Sequence, residues 1–165
     1  MPGMITLHML LAMILLSLLI SLQAWSSPDS KGVIIPGTRI LYGLIILQVI
    51  LGTQVREKVD EFTKDDQGIV RGEWLDHAGL VDHLHRPLSL LVLGLSLFIF
   101  FQAKKKNEST KMPVWILAGV GGQILLGIIL AYAGLPPWSQ TAHLVLGAGL
   151  LCLVYRAGWH PLASA

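Results

Sequence analysis

A chain of 165 residues that is 53% hydrophobic and only 13% charged has too little polar surface to cover a soluble domain of its size. Its net charge of +2 gives no footing for nucleic acid. The single cysteine, Cys152 inside an apolar run, excludes an internal disulfide and lacks the partners of a metal site.

Hydropathy predicts five membrane-spanning helices, at residues 5–25, 35–55, 83–101, 114–133 and 142–155, most of them near the roughly 20 residues needed to cross hydrocarbon. The first has no basic leader and is longer than the apolar core of a signal peptide, so it reads as a span. The last is short and is expected to begin a little before Ala142, after Pro136 and Pro137. Helices are expected throughout, because a lipid-exposed strand leaves backbone groups unpaired.

Basic residues orient the spans. Lys104, Lys105, Lys106 and Lys111 stand against a single Glu108 in the connection after the third span, which the positive-inside rule makes cytoplasmic. Alternate crossings then put Lys31 and Arg156 on the same side. The Pro136–Pro137 turn and the acid-rich segment 56–82 fall outside, which the rule tolerates because acids carry little topological weight.

The second and fourth spans share a pattern, Leu47-Gln48-Val49-Ile50-Leu51-Gly52 in one and Gly122-Gln123-Ile124-Leu125-Leu126-Gly127 in the other. Each heads outward and is followed by a helix with a histidine near its outer end: His85 in His-Arg-Pro-Leu-Ser, and His143 in Ala-His-Leu-Val-Leu-Gly. The predicted fold is therefore an all-α integral membrane protein. Residues 29–165 form a four-helix transmembrane bundle of two repeated hairpins, and residues 1–28 supply one additional N-terminal transmembrane helix. Such repeats often place a site at their pseudo-symmetric interface. The first span, with Thr6-Leu7-His8-Met9, resembles the second member of a pair (Thr141-Ala142-His143-Leu144) without a helix before it. Either the chain begins there or it is the C-terminal part of something longer.

His8, His85 and His143 thus lie near the outer boundary at similar depth. One histidine in such a place usually bonds to water, headgroups or a carbonyl. Two on separate helices at one depth can instead grip the two faces of a porphyrin, each giving a nitrogen lone pair to iron. Gly147 lies one turn from His143 on the same face, and Ser89 and Ser96 continue the face of His85. Small side chains there leave room for a flat macrocycle, though they equally favour close helix packing. Zinc is the weaker competitor: His77, His83 and His85 with Asp76 and Asp82 match no defined ligand spacing. Arg56 and Arg86 at the outer helix ends suit haem propionates geometrically, or else snorkel to headgroups. Gln48 and Gln123 read as interhelical glue, with a bond to a cofactor as the alternative. Pro87 either sits in the first turn of its helix or kinks it beside His85. His160 reads as a solvated tail residue.

Gln48-Val49-Ile50-Leu51-Gly52-Thr53-Gln54-Val55-Arg56, a polar loop, and Asp82-His83-Leu84-His85-Arg86 together resemble the C-terminal half of haem A synthase. Gln123 to Gly127, Leu135-Pro136-Pro137 and Ala142-His143 continue that order, so the likeness covers about residues 35–155. The resemblance implies a membrane oxidoreductase, in the bacterial inner membrane, that oxidises a methyl group of haem O to a formyl for terminal oxidase biogenesis. It implies a haem b held by His85 and His143, with haem O as substrate. Residues 1–28 then match the last helix of the family's N-terminal half, and His8 becomes a ligand of a second, incomplete haem site. The remaining N-terminal helices, with their partner histidine and catalytic glutamate, are not among these residues, nor is the cysteine pair found in some members. The resemblance thus leaves catalytic residues in this chain unassigned. It implies as partners lipid and haem, with a missing N-terminal half or a second copy of the chain, and identifies no electron donor. The alternative is a stand-alone bis-histidine membrane cytochrome that passes electrons without substrate chemistry.

Overall fold

The computed structural model describes residues 3–25, 32–64, 79–159 and 162–163. Five helices account for nearly all of them: α1 (Met4–Trp25), α2 (Thr38–Lys64), α3 (Leu80–Lys105), α4 (Lys111–Tyr132) and α5 (Pro137–Trp159). Each is long and apolar enough to cross a membrane, and the chain is an integral membrane protein on that ground. Two-residue strands β1 (Gly32–Val33) and β2 (Leu162–Ala163) pair antiparallel. Lys31, Asp76, His77, His160 and the middle of segment 56–82 lie outside the described residues.

The helix ends differ from the hydropathic reading for local reasons. Helix α2 starts at Thr38 rather than at 35, because Pro36 and Gly37 form a turn in which Gly37 adopts φ +86°, a conformation open to glycine. The helix then runs past Val55 to Lys64 on charged residues that hydropathy cannot credit. Arg56 pairs with Asp60 and Lys58 with Glu61, each at 2.9 Å and one turn apart, the spacing at which opposite charges support a helix. Helix α3 begins at Leu80, so both ends of segment 56–82 are helical. Pro87 is therefore interior, which settles the two options left by the sequence: it has no N–H to offer the His83 carbonyl. Helix α5 starts at Pro137, where a proline's missing donor has no intrahelical role.

Helices α3 and α4 stop in the same way. After α3, Asn107 (φ 54°) takes the left-handed conformation, and the Glu108 amide donates to the Ala103 carbonyl at 3.0 Å. After α4, Gly134 (φ 66°) does so, and the Leu135 amide reaches the Leu130 carbonyl at 3.2 Å. Both are Schellman closures that satisfy carbonyls otherwise left over at a helix end.

Each of α2, α3, α4 and α5 packs against the next, and α5 packs back against α2. The four helices form a closed square in which α3 stands diagonally across from α5. Helix α1 lies outside the square, against α2 and α5. Hydroxyl pairs join it there: Thr6 with Thr53 at 2.8 Å, Ser17 with Tyr42 at 3.0 Å and Ser21 with Tyr155 at 2.8 Å. Its other face carries Leu11, Leu15, Leu18 and Leu22, each more than half exposed, as lipid-facing side chains are.

The buried apolar cluster is one-sided. Leu41, Ile45, Val92, Ile99, Ile116, Val120, Leu151, Val154 and Ala157 all lie toward the end of the square that carries Lys104–Lys111. The opposite half holds Gln48, Gly52, His85, Gln123, Gly127, His143 and Gly147 instead. The main buried apolar cluster thus lies in one half, and the glutamine and histidine pairs lie in the other.

Candidate functional site

The repeated Gln-x-x-x-Gly pattern explains itself once the helices are in place. Gln and Gly four residues apart share a helix face one turn from each other. On α2, Gln48 Nε2 donates to the His85 carbonyl of α3 at 2.9 Å, and a Cβ on Gly52 would lie 3.2 Å from His85 Cε1. On α4, Gln123 Nε2 donates to the His143 carbonyl of α5 at 2.8 Å, and a Cβ on Gly127 would lie 3.8 Å from His143 Cε1. In each pair the glutamine fixes the neighbouring backbone, and in the first the glycine also admits the imidazole. Interhelical hydrogen bonds of this kind are worth about 0.6 kcal/mol on average in membranes. The glue reading of Gln48 and Gln123 is what the structure contains. Gly147 serves the second pair as well: a Cβ there would come within 2.9 Å of Gln123 Nε2.

His85 and His143 are both half-buried, project from diagonal helices, and sit within two turns of their helix starts. The Nδ1 atom of each is buried and unpartnered, as are Gln48 Oε1 and Gln123 Oε1. Buried polar atoms without partners are rare and ask for an explanation. Here four occur together at one level of the bundle. The sequence singled out the histidines and glutamines; it missed Gly52 as the residue that makes room for the His85 ring, although the Gln-to-Gly spacing repeated in both spans carried that signal.

The other singled-out residues fall around this pair. Arg56 donates to Gln140 Oε1 of α5 and pairs with Asp60. Arg86 pairs with Asp82 at 2.6 Å. His8 is exposed on α1; Thr6, two residues earlier, makes a contact with α2. Among the described residues no three His, Cys, Asp or Glu side chains converge, so they hold nothing that meets zinc's need for three or four ligands. A cleft of about 90 Å³ between Ile35–Gly37 and Phe98–Ala103 lies at the far end of the bundle and includes none of these residues.

The two arginines differ in what their loss exposes. Asp82 is 6% exposed, whereas the Asp60 side chain is 28% exposed and Arg56 is 48% exposed. Removing Arg86 strands a buried carboxylate, and removing Arg56 leaves one that water can reach. Arg86→Ala is expected to lower unfolding stability by about 1 kcal/mol or more, and Arg56→Ala by less, in matched thermal melts in one detergent. Equal effects would contradict this ordering.

The fold defines the class as a polytopic α-helical membrane bundle, with two internal histidines on diagonal helices. The model of the cytochrome oxidase assembly proteins, COX15-CtaA, matches residues 1–155, and the chain belongs to this family, that of haem A synthase. Its broad role is thus cytochrome oxidase assembly and haem A synthesis. Comparison with curated proteins and with solved structures found no match.

Proposed function

We propose that the chain is the haem b-binding part of a haem A synthase, with His85 and His143 as the two axial ligands of the iron. One observation carries this reading: paired, buried and unpartnered imidazole nitrogens on diagonal helices, at the end of the bundle opposite its main apolar cluster. A haem iron needs two such donors and no third, so a two-histidine site suffices. The donor set fits the group, and the glycine at 52 provides clearance for the His85 ring. The haem would supply one-electron chemistry at that level of the membrane.

In this reading residues 29–165 form two repeated hairpins around the cofactor, and residues 1–28 belong with a second haem site. His8 would serve as a ligand there, with other helices supplied by an N-terminal half or by another copy of the chain. The reaction of the complete enzyme is oxidation of a haem O methyl to the formyl of haem A. Lys104–Lys111 orient the bundle with that loop cytoplasmic and the histidines near the outer face of a bacterial inner membrane. Arg56 and Arg86 stand at the same end as the histidines and supply the guanidinium geometry that propionates accept.

Protein purified in mild detergent from cells supplied with haem precursor tests the reading. The expected result is a ferrous spectrum with sharp low-spin bands and a pyridine haemochrome of the b type, in roughly equimolar amount to the chain. Protein that retains no haem under these conditions overturns it. A haem-loaded chain that leaves haem O unchanged even alongside the N-terminal half favours the stand-alone cytochrome instead.

A further inference from the structure

In the first turn of α2 one guanidinium is held firmly and only half used. Arg39 Nε donates to the Gly158 carbonyl at 3.0 Å, and the guanidinium carbon lies 5.5 Å from the centre of the Trp159 ring, within the range of a cation–π contact. That ring is itself pinned. It stacks on Tyr155 at 4.9 Å and meets Tyr42 edge-on at 5.1 Å, and the two tyrosine hydroxyls are bonded to Ser21 and Ser17 of α1. Arg56 and Arg86 each pair with an aspartate, whereas among the described residues no carboxylate pairs with Arg39. Its stem and face are fixed, and its two terminal amino groups are left to an outside acceptor.

The surroundings say which acceptor. Arg39 is exposed and stands at the end of the bundle that carries Lys104–Lys111, where the turn Ile35–Gly37 faces Lys106 across a cleft. The apolar run of α2 begins at the next residue, so the guanidinium lies where hydrocarbon gives way to headgroups, as Trp159 does at the close of α5. One turn deeper on the same helix face is Gly43, where an added Cβ would meet nothing within 4 Å. Ile40 and Leu47 flank it, 67% and 45% exposed. The surface is thus positive at its head and apolar and uncrowded below. We propose that Arg39, Trp159 and Gly43 form a binding site for one anionic phospholipid. The two amino groups of Arg39 take the phosphate, and an acyl chain lies along α2 past Gly43. A planar fork matches phosphate oxygens as a point charge does not, and the positive end of α2 adds to the attraction. Basic pockets at the cytoplasmic ends of membrane helices hold lipids of this charge. The bound lipid braces the corner where α1 joins α2 and α5, and the inference is independent of the haem reading.

Native mass spectrometry of the detergent-purified full chain, titrated with phosphatidylglycerol and in parallel with phosphatidylcholine, tests the site. Expected is one retained phosphatidylglycerol per chain, with phosphatidylcholine held less tightly. Arg39→Ala is expected to weaken that retention about tenfold or more, as loss of hydrogen bonds to a charged group does, and Arg39→Lys by less. Gly43→Leu fills the notch on a surface where an added side chain meets nothing within the protein, and is expected to weaken retention without lowering the melting temperature. Phosphatidylglycerol held by Arg39→Ala and Gly43→Leu as by the wild type overturns the proposal, and so does equal retention of the two lipids by the wild type. Inorganic phosphate separates the two sources of the anion. If it raises the melting temperature as much as phosphatidylglycerol does, and equally in Gly43→Leu, Arg39 serves a free phosphate and the lipid site is overturned. Should Arg39→Ala fail to accumulate, Arg39→Lys and Gly43→Leu decide: wild-type retention in both overturns the site, and weakened retention in both supports it.

Discussion

His85→Ala and His143→Ala are each expected to abolish the low-spin haem spectrum of the purified protein, with any residual haem converted to a high-spin form. The two rings come from different helices and neither has a substitute nearby: among the described residues no third ligating side chain joins them. Loss of either one leaves iron with a single protein nitrogen. The shorter hydrogen bonds that tie α2 to α3 and α4 to α5, at 2.9 and 2.8 Å, end on the main-chain carbonyls of these histidines, and only a longer contact of 3.4 Å joins Gln48 Nε2 to the His85 ring. Alanine keeps those carbonyls, so the bundle should hold together and the loss should be specific to the cofactor. His83→Ala, at an exposed position, serves as a control and is expected to leave the spectrum unchanged. Ferrous absorption and electron paramagnetic resonance of the three variants, at equal protein, check this. Full low-spin spectra in both His85→Ala and His143→Ala would remove the assignment.

Gly52→Val should be the most damaging single change outside the histidines themselves. Even a methyl at Gly52 would lie 3.2 Å from His85 Cε1 and 3.8 Å from its Nδ1. A β-branched side chain adds bulk with almost no rotamer freedom in a helix. His85 cannot retreat easily, because Gln48 holds its carbonyl from the same helix that carries Gly52. Overpacking of this kind costs about 1–3 kcal/mol, and here the strain falls on the ligand's orientation. The expected outcome is loss of most low-spin haem together with a lowered melting temperature. Gly127→Ala is the contrasting change: its added methyl would meet His143 Cε1 at 3.8 Å, an ordinary contact. Replacing glycine inside a helix is then neutral or stabilising by up to about 1 kcal/mol. Haem content and thermal melts of the two variants measure the difference. If Gly52→Val binds haem as the wild type does, the close approach of ring and backbone has no functional weight.

The spans were legible because an apolar run of some twenty residues has one good solution in a bilayer. Their ends were less so. The extension of α2 through Arg56, Asp60 and Glu61 depends on pairs of charges one turn apart, and a hydropathy window counts such residues only as polar. Pro87 could not be placed because its role depends on where α3 begins, which Gly79 (φ 68°) fixes. The histidines and glutamines stood out as polar residues in apolar helices, and that rarity is a physical signal. Their mutual arrangement did not, since which helices lie diagonally follows from packing around the whole square. Gly52 illustrates the limit. Its spacing from Gln48 repeats in Gly127 and Gln123, but a glycine in a membrane helix has many uses. Only the position of the His85 ring shows which one applies. Asp82 was noted as a candidate zinc ligand, whereas its partner is Arg86.

The strand pair at the lysine end carries a topological consequence. Gly32–Val33 is hydrogen-bonded to Leu162–Ala163, the Ile35 amide donates to the Ala157 carbonyl at 3.2 Å and Arg39 Nε to the Gly158 carbonyl at 3.0 Å. The entrance to α2 and the exit from α5 are thereby stitched together, so the circuit of four helices has no seam where it starts and finishes. A gene rearranged to cut the circuit at the turn 106–110 and splice the stitched ends would preserve every helix neighbour, and a circular permutant of residues 32–163 should assemble the same histidine pair.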